Sequence, residues 1–233
     1  MKNLIGISAL LFWGASASHA SLIALGPVPS SGSGLGAVNT LLTFTSPGGS
    51  STETGCVGAG SGGSVITGSA ACPSGFTGGN EQAANNVFST ASAGFTNFNN
   101  LQLIFNASEP GSAPGISLDS LALTIFSSTG VLLQTHTLTS PYSIADAFPG
   151  TGNAGFGFML DSGEAAQANA LLTGGAVLYI GASANASEAT GGLETIFIRT
   201  TAPTSSTVPE PVSLSLVGGG LLAFGLLRKR LPQ

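Results

Sequence analysis

The chain reads as an all-β protein: an antiparallel β-sandwich or jelly-roll-like ectodomain with one short helix, flanked by an N-terminal signal helix and a C-terminal transmembrane helix. Three observations predict this. Charged residues make up only 6% of the 233 residues, and 35 are Gly, whereas ordinary soluble domains carry about 25% charge. Apolar residues alternate in short runs separated by Gly, Ser, Asn and Pro, the pattern of half-buried strands joined by turns. Both ends depart from this pattern with continuous apolar stretches.

The first stretch is MKNLIGISALLFWGASASHA. One positive charge, a short apolar run and small residues at Ser18 and Ala20 make a secretory signal peptide over 1–20, cleaved between Ala20 and Ser21. The alternative is an uncleaved anchor, but about 12 apolar residues fall short of the roughly 20 that span a bilayer. Cleavage removes Trp13 and His19 and leaves His136 as the one histidine. Export also makes a disulfide between Cys56 and Cys72 plausible, closing a loop of about 15 residues; two free thiols are the other possibility.

The ectodomain is expected over 21–203. Residues 21–36 are apolar but rich in Pro, Gly and Ser, and 46–80 read as a surface loop insertion pinned by the cysteine pair. That insertion holds a formal GxGxxG at Gly58, Gly60 and Gly63, with no strand before it and no helix after it, so it carries no nucleotide-binding expectation. About eight strands are expected, among them LLTFTS, NVFST, NNLQLIFN, ISLDSLALTIFSS, VLLQTHTL, NAGFGFMLD, AVLYIGAS and LETIFIRT. In ISLDSLALTIFSS the apolar parity slips at Asp119-Ser120, which predicts a bulge. Asp161 followed by Glu164 and AAQANALLT predicts the helix, capped by Asp161, with Ala165, Ala168 and Leu172 facing the sheets.

Catalytic signals are sparse, and the chain is expected not to be an enzyme. His136 sits mid-strand with no nucleophile motif nearby, which reads as a surface or half-buried strand histidine. Asp119, Asp146, Asp161, Glu164, Glu188 and Glu194 are scattered, and no spacing selects a pair for hydrolysis. No metal or cofactor is expected: the cysteine loop lacks further ligands, and no calcium loop of the DxDxDG type occurs. Lys and Arg number five and lie at the ends apart from Arg199, so nucleic acid is excluded as a partner, because it demands clustered cations. The Phe residues read as core. Thr-x-Thr pairs at Thr43/Thr45 and Thr135/Thr137 lack the fixed repeat of an ice-binding ladder.

The tail carries the most specific signal. Residues 204–211 form a linker containing Val208-Pro209-Glu210-Pro211. An apolar span follows over 212–227, about 24 Å as a helix and just short of a hydrocarbon core of roughly 30 Å. Arg228, Lys229 and Arg230 then act as a basic stop, with 228–233 cytoplasmic. Pro209 and Pro211 hold Glu210 extended at the outer membrane face. Motif, span and stop, in this order, resemble the PEP-CTERM sorting signal of exported bacterial proteins. The resemblance covers about the last 25 residues and implies recognition and removal by an exosortase-type membrane enzyme, in bacteria that make exopolysaccharide. A plain membrane anchor is the alternative for the tail.

The function expected is that of a non-enzymatic exported surface or matrix protein associated with exopolysaccharide or biofilm. Its precursor is expected to cross the inner membrane once, with the ectodomain outside the cytoplasm; the mature form would lie at the cell surface or beyond it. The alternative is a carbohydrate-binding module, followed by a hydrolase and an ice-binding protein.

Overall fold

The β-branched and aromatic runs do form strands, and most of these contribute buried side chains. The computed structural model describes residues 22–28, 38–82, 84–94, 96–107, 115–144, 154–190 and 192–200. The signal peptide with its Ala20/Ser21 junction, Asp146, the linker motif Val208–Pro211, the apolar span and the basic stop Arg228–Arg230 all lie outside them. The described residues belong to one compact unit, which ends at Thr200.

Twelve strands occur among the described residues: β1 Leu22–Val28, β2 Asn39–Phe44, β3 Glu53–Ala59, β4 Val65–Thr67, β5 Phe88–Ser89, β6 Leu101–Ala107, β7 Ile116–Phe126, β8 Leu132–Thr137, β9 Tyr142–Ile144, β10 Ala154–Leu160, β11 Tyr179–Ser187 and β12 Glu194–Thr200. The single α-helix among them is α1, Ser162–Ala170. One sheet runs β1-β10-β6-β12-β2. The other runs β4-β3-β11-β7-β8, with β5 beside β11 and β9 beside β7. Every named strand pair is antiparallel.

One core takes side chains from both sheets. Phe105, Phe156, Phe158, Leu103 and Ile196 come from the first; Leu121, Leu123, Ile125 and Ile180 come from the second. The alternation that predicted β6 and β10 is the alternation that fills this core. On the outer side of β10, Gly155 and Gly157 leave room for β1 to fold over: a Cβ on Gly157 would lie 2.8 Å from Val28 Cγ2. Val28, Ile104 and Phe197 make a second, small cluster there.

Three expectations need correction. Residues 46–80 are not simply a loop insertion, because β3 is an interior strand between β4 and β11. Its glycines disguise it: a Cβ on Gly55 would press on Leu42 and Phe44, and one on Gly58 on the Phe126 ring. The sheet surface there has space only for small residues. Likewise, 22–28 pair as β1 despite Pro27, which edge position tolerates. Its register shifts between Ala24 and Gly26, where Gly26 takes φ 86°. His136 is not at the surface; it is 2% exposed. The expected bulge does lie at Asp119: Asn185 pairs with Ser120, but Ala186 pairs with Leu118.

Candidate functional site

The densest polar constellation lies where α1 meets β8. The helix starts as its capping pattern predicts. Gly163 N and Glu164 N donate to Asp161 Oδ1 at 2.8 and 2.9 Å, satisfying amides that a helix start leaves open. Ala165 and Ala168 are buried in the core, and Leu172 packs against it half-buried. These small residues let the helix sit close to both sheets, so Glu164 and Gln167 reach β8.

Glu164 therefore does more than complete a cap. His136 pairs with Leu123 across β7 and β8 and so points inward. Its Nδ1 lies 2.8 Å from Glu164 Oε2, and its Nε2 lies 3.1 Å from Gln134 Oε1. Gln134 Nε2 donates to the Gln167 carbonyl at 3.4 Å. Both ring nitrogens thus face acceptors, which favours the imidazolium; burial opposes that charge and is the larger effect. The imidazole is held below its ordinary value of 6.5 by desolvation, against Glu164 and Asp161, which raise it. Among the described residues, the ring's hydrogen-bond partners are Glu164 and Gln134, and the constellation fastens the helix to a sheet edge. Sequence spacing could not reveal this pair, because 28 residues separate its members.

On another face of α1 lies a cleft of about 620 Å³, lined by Ile23, Met159, Ser162, Ala166, Asn99 and Asn169 among others. Two of its polar groups are already engaged: Phe98 N donates to Asn169 Oδ1 at 2.7 Å, and Asn169 Nδ2 donates to Asn99 Oδ1 at 3.1 Å.

The remaining sequence-predicted residues are dispersed. Cys56 and Cys72 form a disulfide, with 5.2 Å between their Cα atoms. It ties the segment after β4 to the outer face of β3, where Ala71 is buried near Gly58. Asp119 accepts from Ser117 and Ser187 hydroxyls at 3.0 and 2.9 Å. Glu188 has φ 62°. Among the described residues, no group of three His, Cys, Asp or Glu is placed to hold a metal.

Of two buried carboxylates, Glu53 escaped sequence reasoning, and Glu194 was read only as one of several scattered acids. Glu53 and Glu194 are both fully buried. Ser46 N donates to Glu53 Oε1 at 2.7 Å, and Glu194 pairs with Phe44 across β12 and β2. Both thus lie at the end of the sheets marked by Phe44. Glu53 stands in the polar run SSTET, where nothing distinguishes it from a solvated acid.

No family model, curated protein or solved structure matches the chain. The residues themselves therefore carry the functional reading.

Proposed function

We propose that the chain is a non-enzymatic exported surface or matrix protein, sorted by its C-terminal signal and associated with exopolysaccharide or biofilm. The observation that carries this reading is the ordered tail: Val208-Pro209-Glu210-Pro211, the apolar span 212–227, then Arg228-Lys229-Arg230. An exosortase-type membrane enzyme is the partner that such a signal implies. The Cys56–Cys72 disulfide supports export, because disulfides persist in oxidising compartments. Two antiparallel sheets sharing one core support a sandwich-like ectodomain between signal and tail.

The carbohydrate-binding alternative gains nothing from the aromatic residues. Phe44, Phe105, Phe156 and Phe158 are buried, and Tyr142 packs edge-on against Phe158 with ring centroids 5.5 Å apart. The test is the intact mass of the protein from its native host, with and without a functional exosortase. A chain starting at Ser21 and shortened near Pro209 only when the enzyme is active is the expected result. Retention of Arg228–Gln233 in both strains would overturn the sorting reading and leave a plain anchor.

A further inference from the structure

The ends of the sheets differ in chemistry, and the chain enters and leaves the domain at one of them. In the first sheet, Leu22 pairs with Leu160, Met159 with Gln102, and Leu101 with Thr200. Leu22, which opens β1, and Thr200, which closes β12, therefore lie at the same end of this sheet, three strand spacings or about 14 Å apart. The α1 helix leaves β10 at this end, and its Asn169 returns to Phe98, just before β6.

The second sheet's matching end is that of Ala59, Phe126 and Tyr179, reached from α1 through 171–178. Here the exposed large apolar side chains gather: Val65 and Ile66 on β4, Val131, Leu132 and Leu133 at the β7–β8 hairpin, and Val177 before β11. Ile23 is exposed on β1, one residue from the chain entry. Leu25 lies midway along β1, and Leu193 alone of the exposed set lies at the far end. The β7–β8 turn joins the β3–β4 turn, with Gly62 N donating to the Ser128 carbonyl at 3.0 Å, so these apolar tips belong to one surface.

Charge is distributed the opposite way. Glu53, Glu81, Asp119 and Glu194 lie toward the far end, as their partners Ser46, Phe44, Ser187 and Phe44 place them, and so does Glu188, next to Ala189, whose N donates to the Ser51 carbonyl. The two carboxylates at the α1 end, Asp161 and Glu164, are engaged by helix amides and by His136. Arg199 is the one cation among the described residues, and its Nε donates to Gln102 Oε1 at 2.7 Å.

We infer that this α1 end is a lipid-facing surface, resting on the neutral headgroup layer of the membrane while the tail is still attached. The inference rests on the membrane reading of 212–227. Eleven residues, 201–211, separate β12 from that span and reach at most about 40 Å, so the domain cannot leave the membrane's vicinity. Among the described residues, the carboxylates at this end, Asp161 and Glu164, are hydrogen-bonded within the domain, and an end where exposed apolar side chains gather presents least cost toward lipid, while the end richer in carboxylates faces water. With no cationic patch, a neutral surface is its partner rather than an anionic one.

The mature chain lacks tryptophan once Trp13 departs, so introduced tryptophans report alone. The experiment uses the tail-bearing chain, Ser21–Gln233, in phosphatidylcholine vesicles containing brominated acyl chains, with Val131→Trp, Ile66→Trp or Leu193→Trp. The first two variants should lose most of their fluorescence to the bromines, and Leu193→Trp should not. Equal quenching at all three, quenching at Leu193→Trp alone, or none at any while the chain floats with the vesicles would overturn the orientation and leave the span standing. A chain that does not float at all would remove the membrane reading itself, and the lipid-facing surface with it.

Discussion

His136 shows how burial and pairing compete at one residue. Its ring sits between Glu164 and Gln134, and Asp161 adds a further negative charge nearby, yet desolvation keeps the imidazole below 6.5. The unfolded chain therefore takes up a proton near its ordinary value that the folded chain resists. Stability is full above that value, falls as pH drops through it, and levels off once the folded ring also titrates. Urea midpoints measured from about pH 7.5 to 5 should fall for the native chain and fall less for His136→Asn; parallel slopes would mean that the ring's environment does not oppose its charge. A backbone position offers an independent test of packing. A Cβ on Gly181 would run into the Val57 carbonyl oxygen and lie 2.8 Å from Thr124 Oγ1. Gly181→Ala forces two interior strands apart and should cost about 1–3 kcal/mol, read as a lowered melting temperature. An unchanged melt would show that β3 and β11 yield freely.

At the scale of elements, legibility followed how much each strand's side chains advertise themselves. The alternation in β6 and β10 announces their inward faces, and the parity slip at Asp119 announces the bulge, because a one-residue shift exchanges the two faces of a strand. The helix was visible because Asp161 supplies a cap by its chemistry alone. In contrast, β3 hides behind Gly55 and Gly58, whose smallness is demanded by Leu42, Phe44 and Phe126 in distant segments. The His136–Glu164 pair was hidden for the same reason: only folding brings β8 to α1. The cap and the disulfide make separable predictions. Asp161→Ala leaves two amides without their acceptor and should cost about 1 kcal/mol, measured by urea unfolding at neutral pH. Cys56→Ser with Cys72→Ser frees a loop spanning 16 residues of sequence separation. The entropy model values such a loop at about 3 kcal/mol, so the disulfide variant should lose more than the cap variant. The reverse order would mean that the loop stays ordered without its bond, through the packing of Ala71 against the face of β3.

At the scale of the whole molecule, the scarcity of cations turns an ordinary protease into a structural probe. Five Lys and Arg occur in the chain, and only Arg199 lies within the domain. It sits on β12, an interior strand paired with β6 on one side and β2 on the other, and its side chain is held by Gln102. A protease must draw several residues into extended, unpaired form before it can cut, so cleavage after Arg199 requires β12 to leave both neighbours. Losing β12 would strip Ile196 and Ile198 from the shared core, which makes local release nearly as costly as global unfolding. Trypsin acting on the folded chain, Ser21–Gln233, should therefore spare Arg199. With increasing urea, cleavage at Arg199 should rise with the same midpoint as loss of the β signal in circular dichroism. Cutting at Arg199 well before that midpoint would show that β12 frays independently, and the two sheets would then not unfold as one unit.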